Sequence, residues 1–295
     1  MRVFITGATG FIGSRVVNEL IAAGHEVLGL TRSKAGAAAL TAAGAGVHHG
    51  SLEDLESLRR GAAASDAVIH LGFVHDFSKL QESCLIDKRA IEALGSAIAG
   101  SSRPLIVAGG TAGLSAPGQV ATEDWELPPD MPFPRVSEQT ALELASKGVH
   151  ASVMRLPQVH DTVKQGLVSF LIALAREKGV SAYVGNGDNR WSAAHVSDVA
   201  RLYRFVLEKP EAGARYHAVA EEGVPMREIA ESVGRGLKIP VVSLSPEVAP
   251  AHFGWLMMFA GSDLPASSEK TRSKYGWNPT GPGLITDLDR MNYAA

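Results

Sequence analysis

Three glycines near the start constrain the fold of this chain more than any other feature of its sequence. Gly7, Gly10 and Gly13 follow the apolar run at residues 3–6 and open a stretch whose apolar residues recur at helical spacing. In that context the first glycine permits a tight turn, the second lets the backbone approach a pyrophosphate, and the third lets the helix pack closely on the strand. A helix N-terminus at this point also offers free N–H groups to phosphates. The residues predicted to contact a dinucleotide here are Gly7, Thr9, Gly10, Phe11, Ile12 and Gly13.

Short apolar runs then alternate with helical stretches along the first half of the chain. Strands are predicted at residues 3–6, 26–30, 47–48, 67–71, 104–107 and 151–155, with helices between them and a further helix at 163–178. Strand and helix repeated in this order imply a parallel sheet that is covered on both faces. We therefore predict an α/β fold: a Rossmann-type doubly wound sheet over residues 1–160, which later strands can complete, and a smaller mixed α/β substrate lobe over residues 161–295.

The composition excludes several classes of protein. Apolar residues make up 45% of the chain and charged residues 20%, and the net charge of −3 with scattered basic residues carries no nucleic-acid footprint. No apolar run approaches the roughly 18 residues that cross a bilayer, and no signal-peptide pattern is present. The single cysteine, Cys84, fits a reducing compartment. We expect a cytoplasmic protein that acts on a small molecule, without a metal and without nucleic-acid or membrane partners.

The end of the second predicted strand bears on the choice between NAD and NADP. An acidic residue there would accept a hydrogen bond from the ribose 2′-hydroxyl, whereas an arginine would pair with a 2′-phosphate. The chain has no acid at this point and continues with Arg32 and Ser33. We therefore expect NADPH to be preferred over NADH, with both residues near the 2′-phosphate. A solvated surface charge is the alternative role for Arg32.

Three further segments carry a resemblance to a known family. They are the run at 68–72 (Val-Ile-His-Leu-Gly), the stretch from Trp191 to Asp198, and Gly276-Trp277-x-Pro279. With the glycine loop, they resemble the short-chain dehydrogenase/reductase superfamily, in its extended or atypical branch, which contains the NAD-dependent epimerases and dehydratases. The resemblance spans nearly the whole chain, and by analogy with similar proteins it implies a homodimer.

The resemblance also implies where the cofactor and the substrate lie. The residues that it places beside the dinucleotide are Ser51, Leu52, Leu71, Gly72, Phe73, Pro157 and Val159. The residues expected on the substrate side are Phe73, Trp125, Trp191 and His195. For His195, a structural role at the start of a helix is an open alternative.

The usual catalytic pair of that superfamily is not present in its ordinary form. Similar proteins use Tyr-x-x-x-Lys with a Ser or Thr, but none of the five tyrosines here has a lysine four residues later. Aligned on Glu138, the lysine position falls on Arg135 and the tyrosine position on Met131, which cannot act as an acid or a base. Thr111 is the hydroxyl nearest the Ser/Thr position and either orients a substrate oxygen or only begins a loop. His75 can donate a proton near neutrality or can lie in an exposed polar loop.

These features predict an NADPH-dependent reductase. Its acceptor would be small and largely apolar, such as a quinone, an aldehyde or ketone, an enone, an imine or an azo compound, because hydride transfer to an electron-poor acceptor can take its proton from water. The protein would supply orientation and a dry cavity. Two alternatives stay open: a non-catalytic NADP(H)-binding redox sensor, and a sugar-nucleotide epimerase or dehydratase, whose reaction depends most on the absent tyrosine.

Overall fold

The computed structural model describes residues 1–76, 79–114, 118–127 and 135–294. Its strands are β1 (Arg2–Thr6), β2 (Glu26–Thr31), β3 (Gly46–His49), β4 (Ala67–His70), β5 (Leu105–Gly110), β6 (Ala151–Leu156), β7 (Gln158–His160), β8 (Ser181–Val184), β9 (Arg190–His195), β10 (Arg215–His217), β11 (Glu221–Pro225) and β12 (Val241–Leu244). Its α-helices are α1 (Phe11–Ala22), α2 (Lys34–Ala42), α3 (Leu55–Ala63), α4 (Leu80–Ile98), α5 (Ser137–Ser146), α6 (Val168–Lys178), α7 (Val196–Glu208), α8 (Met226–Leu237), α9 (Ala249–Phe253), α10 (Met257–Ala260), α11 (Glu269–Tyr275) and α12 (Leu284–Arg290).

The chain forms two compact units. Unit 1 comprises the described parts of 1–109, 130–155 and 199–216, and unit 2 those of 110–129, 156–198 and 217–295. The chain thus passes between the units more than once: after β9 it returns to unit 1 through α7 and adds β10 to the sheet. The predicted division, by contrast, cuts the chain once, at residue 160. As folding domains, the ranges 1–160 and 161–295 stay a prediction.

Unit 1 is built on a seven-stranded sheet of order β10-β6-β5-β4-β1-β2-β3. The neighbours from β3 to β5 pair in parallel, so the strands β1, β2, β4 and β5 all end at the same edge of the sheet. Helices cover the sheet, and β4 reads Ala-Val-Ile-His with every side chain buried, as expected for a parallel strand enclosed on both faces. This confirms the predicted Rossmann-type α/β class.

Unit 2 is a mixed arrangement of short strands and helices. It contains a three-stranded sheet of order β11-β9-β7, with one antiparallel and one parallel pairing, and the parallel pair β12-β8. The helix predicted at 163–178 begins only at Val168, because Gly166 has φ +49°, in the left-handed region that an α-helix cannot include. The segment around Trp277 is held by Asp198, whose carboxylate accepts from the amides of Thr280 and Gly281.

Among the residues that the structure describes, no helix combines the length and the apolar character that a membrane crossing needs.

Candidate functional site

The loop between β1 and α1 has the backbone geometry that its glycines predict. Gly7 has φ +68°, and a Cβ at this position would lie 2.7 Å from the backbone of Leu71 and Gly72. A Cβ on Gly13 would overlap the carbonyl oxygen of Gly7. The close approach of three backbone segments therefore requires glycine at both positions.

The first turn of α1 is open to an anion. Gly10 is the N-cap residue, carries no side chain that could cap the helix, and is exposed together with Thr9. Phe11 and Ile12 begin the helix and are half-buried. The residues present thus fit a dinucleotide pyrophosphate, with a close backbone approach at the glycines and helix N–H groups directed towards the loop.

The end of β2 presents a cation and a second helix N-terminus. Arg32 is exposed directly after Thr31, and the next helix starts at Lys34, which is also exposed. The hydroxyl of Ser33 accepts from the amide of Gly36 at 3.0 Å, so this side chain caps α2. Positive charge and helix N–H groups therefore gather at the point where a ribose 2′-substituent is expected.

The residues predicted to lie beneath the dinucleotide line the same edge of the sheet. Leu71, Gly72 and Phe73 directly follow β4, and the amide of Gly72 donates to Thr6 Oγ1 at 3.1 Å. Leu52 lies against Gly72, since a Cβ on that glycine would come within 2.9 Å of the leucine side chain. Ser51 accepts from the amide of Glu53 at 3.3 Å in the turn before α3.

Arg135 is anchored at the carboxyl end of β5. Its Nη2 donates to the carbonyl of Ala108 at 3.0 Å and its Nε to Ser137 Oγ at 2.8 Å. The guanidinium carbon lies 4.5 Å from the centroid of the Phe73 ring. His75 is exposed and meets the same ring edge-on, with 5.2 Å between ring centroids. The structure thus brings Arg135 and His75 to one aromatic side chain, whereas Met131 lies outside the described residues.

Thr111, the predicted orienting hydroxyl, lies in unit 2 and is buried there. Its Oγ1 lies 3.1 Å from Ser192 Oγ, and its amide donates to the carbonyl of Leu156. Pro157 follows that carbonyl directly, and Val159 belongs to β7, which pairs with β9. Ser192, which no motif indicated, and the carbonyl of Leu156 at 3.5 Å are both hydrogen-bond partners of the Thr111 hydroxyl.

The residues predicted on the substrate side have different environments within unit 2. Trp191 is buried and its indole donates to the carbonyl of Phe259, so its ring belongs to the core of this unit. Trp125 packs, half-buried, against a cluster that includes Ala121 and Ala266. His195 is half-buried, with Nδ1 at 2.7 Å from Ser197 Oγ. Their roles towards a substrate stay predictions.

A buried histidine that the sequence did not indicate lies beside His195. His160 Nδ1 is 2.7 Å from Asp287 Oδ2, its Nε2 is 3.9 Å from Glu221 Oε2, and its ring meets that of His195 edge-on. Burial lowers the pKa of His160 and outweighs the opposing effect of Asp287. Burial also raises the pKa of Glu221. This cluster joins β7, β9 and β11 to α12.

We expect His160 to make the protein less stable in mild acid. The unfolded chain takes up a proton as the pH falls through 6.5, whereas the folded chain does so only at a lower pH, so stability is lost over that window. Between pH 7.5 and 5.5 the free energy of unfolding should fall further for the wild type than for His160→Gln. Urea unfolding at both pH values measures this difference. The exposed His49→Gln is the control, and equal pH dependence of His160→Gln and the wild type would contradict the assignment.

Within the described part of the chain, no group of three or more His, Cys, Asp or Glu side chains is arranged to hold a metal ion.

Comparison with known proteins agrees with this geometry. Residues 3–220 match the model of the NAD dependent epimerase/dehydratase family, and the chain belongs to that family. It is 52% identical over 290 residues to an uncharacterised protein of Schizosaccharomyces pombe, with 98% of each chain covered. It is 45% identical over 298 residues to an uncharacterised protein of Saccharomyces cerevisiae, covering 100% of this chain and 99% of that one.

Among solved structures, the chain resembles the dTDP-glucose 4,6-dehydratase of Streptomyces venezuelae with NAD bound. The TM-score is 0.77 at 20% identity, over 98% of this chain and 96% of that one. This likeness supports the fold. The family membership establishes the protein as an oxidoreductase-type enzyme that uses a nicotinamide dinucleotide.

Proposed function

We propose that the chain is an NADPH-dependent reductase that transfers hydride to a small, largely apolar acceptor. Two observations together support this proposal: Arg135 is fixed by hydrogen bonds to Ala108 and Ser137, and the described part of unit 1 has no accessible tyrosine hydroxyl. Its two tyrosines, Tyr203 and Tyr216, are both buried. Burial also raises the pKa of Tyr203 far above its usual value, so that phenol cannot act as an acid near neutrality. Reactions that need a tyrosinate base are disfavoured, and hydride transfer to an electron-poor acceptor is favoured.

The dinucleotide, when bound, supplies the hydride, and the chain supplies its position. The glycine loop and α1 hold the pyrophosphate, and Arg32 with the start of α2 holds the 2′-phosphate. Arg135 takes the place of the family lysine and would donate to the ribose hydroxyls, while Ala108 and Phe73 hold its guanidinium. The proton that accompanies the hydride comes from His75 or from water.

A panel of acceptors tests this function. Purified protein should oxidise NADPH, measured by its absorbance loss, with at least one of a quinone, an aldehyde, an enone, an imine and an azo dye. Arg135→Gln should reduce that rate about tenfold because the ribose loses a charged donor. Arg60→Gln, at an exposed position of α3, is the matched control.

Two results would overturn the proposal in different ways. Tight NADPH binding with no oxidation by any of the five acceptor classes would favour a redox sensor. Conversion of a UDP- or dTDP-hexose without net NADPH consumption would favour an epimerase or dehydratase; the structurally similar Streptomyces enzyme is a dTDP-glucose 4,6-dehydratase.

A further inference from the structure

A continuous chain of hydrogen bonds runs through the interior of unit 1, from the glycine loop to Arg135. Thr6 Oγ1 lies 2.8 Å from His70 Nδ1, and His70 Nε2 lies 3.1 Å from Asp87 Oδ1. The other oxygen of Asp87 accepts from Ser137 Oγ at 2.5 Å, and Ser137 accepts from Arg135 Nε at 2.8 Å. The four inner side chains are all at most 2% exposed. Such a network is strong when every member is satisfied.

The direction of the bonds in this chain follows from Asp87, because a carboxylate can only accept. His70 Nε2 therefore carries the ring proton and donates to Asp87 Oδ1, and the other ring nitrogen, Nδ1, accepts from Thr6 Oγ1. Thr6 Oγ1 in turn accepts from the amide of Gly72. At the other end Arg135 can only donate, so Ser137 passes its proton to the same carboxylate. Asp87 is therefore the shared acceptor of both branches.

The charge of Asp87 is maintained inside the protein. Burial alone would raise the pKa of this carboxyl, but the hydrogen bond from His70, the positive charge of Arg135 and the hydroxyl of Ser137 outweigh it, and the pKa lies below its usual value. An ionised carboxylate thus faces the guanidinium through one hydroxyl. The hydrogen bond from Arg135 to Ser137 restricts the orientation of the guanidinium, because Arg135 precedes α5. Among the described residues, Arg135 is otherwise held only by the carbonyl of Ala108 and the ring of Phe73.

We propose that Asp87 and Ser137 are positioning residues that hold Arg135 towards the dinucleotide ribose, and that Asp87 also fixes the His70 tautomer and the turn at Gly72 on which the dinucleotide rests. The proposal rests on the proposed function, in which Arg135 binds that ribose. Nε and Nη2 are engaged, which leaves three of the five N–H groups of the guanidinium without a partner in the described part of the chain. These three are available to ribose hydroxyls.

Asp87→Asn removes the negative charge at this position and leaves the volume of the side chain nearly unchanged. His70 and Ser137 donate to different oxygens of Asp87, and asparagine replaces one of these oxygens with an NH2 group that cannot accept. Asp87→Asn should therefore release one branch of the network while keeping the volume. Ser137→Ala releases only the branch to Arg135. Ser152→Ala, in β6, is the matched control because Ser152 is equally buried and its hydroxyl has no hydrogen-bond partner among the described residues.

The experiment compares dinucleotide affinity in these three variants, measured by NADPH fluorescence titration. Asp87→Asn and Ser137→Ala should raise the NADPH and NADH dissociation constants by the same factor, roughly fivefold, because the ribose contact is common to both. The ratio of the two constants, which depends on Arg32, should not change. Hydride transfer in a single turnover at saturating NADPH should slow about tenfold. Ser152→Ala should match the wild type in all three readouts.

One measurement uses the wild-type protein, so that its result does not depend on whether a variant folds correctly. 15N NMR of the His70 ring should show the proton on Nε2, and Asp87→Asn should alter that signal whereas Ser137→Ala should not. Wild-type affinities in both variants, or a His70 proton on Nδ1, would overturn the proposal. If the wild type reduces no acceptor, the proposed function fails, but the affinity comparison still decides whether Asp87 and Ser137 position Arg135.

Discussion

Replacing Glu138 with glutamine is expected to lower the free energy of unfolding by about 3–5 kcal/mol. Glu138 is buried, and its two carboxylate oxygens accept from Arg155 Nη2 at 2.5 Å and Nε at 2.8 Å. Arg155 is fully buried in β6, and Arg215 approaches the same carboxylate at 3.2 Å from β10. The neutral amide leaves the charge of Arg155 uncompensated in the interior, where desolvation makes an unpaired charge costly.

Urea unfolding at neutral pH measures this loss. Glu143→Gln, on the exposed surface of the same helix, should change the free energy of unfolding by no more than about 0.5 kcal/mol. The double variant Glu138→Leu with Arg155→Met should be more stable than Glu138→Gln, since removing both charges removes the desolvation cost together with the attraction. A loss below about 1 kcal/mol in Glu138→Gln would mean that the guanidinium finds other compensation.

Arg32→Ala is expected to weaken NADPH binding by about 30- to 100-fold and to leave NADH binding nearly unchanged. The 2′-phosphate exists only in NADPH, and a charge-assisted bidentate contact to it contributes about 2–3 kcal/mol. The position supports this expectation because Arg32 is exposed at the end of β2, next to the first turn of α2.

Fluorescence titration with both dinucleotides decides the point. Arg60→Ala, which removes an exposed arginine of α3, should leave both dissociation constants unchanged. If Arg32→Ala weakens NADPH and NADH equally, or neither, then Arg32 is a solvated surface charge and the preference for NADPH has no basis at this position.

Much of the fold could be predicted because its signals are local. The glycine spacing, the apolar run before it and the helical periodicity after it lie within some twenty residues, and each acts on the backbone where it stands. Gly7 needs a left-handed φ and Gly13 needs close contact with the loop, so both requirements are visible in the sequence. The same holds for Arg32, whose position depends only on where β2 ends.

The long-range contacts of the candidate site had no such signal. Asp87 was an ordinary helical residue in the sequence, and it meets His70 and Ser137 only because α4 and α5 pack beside β4. His160 and Asp287 are separated by 127 residues along the chain. Nothing in the spacing of these residues indicates which helix face will lie against which strand.

The sequence by itself determined the class of fold, the dinucleotide loop and the departure from the usual catalytic pair, because each depends on residue types at short separation. Tertiary structure alone decided how Arg135 is held, since its environment is assembled from β4, β5, α4 and α5. It also decided that β10, a late strand, closes the edge of the sheet beyond β6. The physical reason is that burial and hydrogen bonding between distant segments depend on how the helices pack on the sheet, which no local pattern specifies.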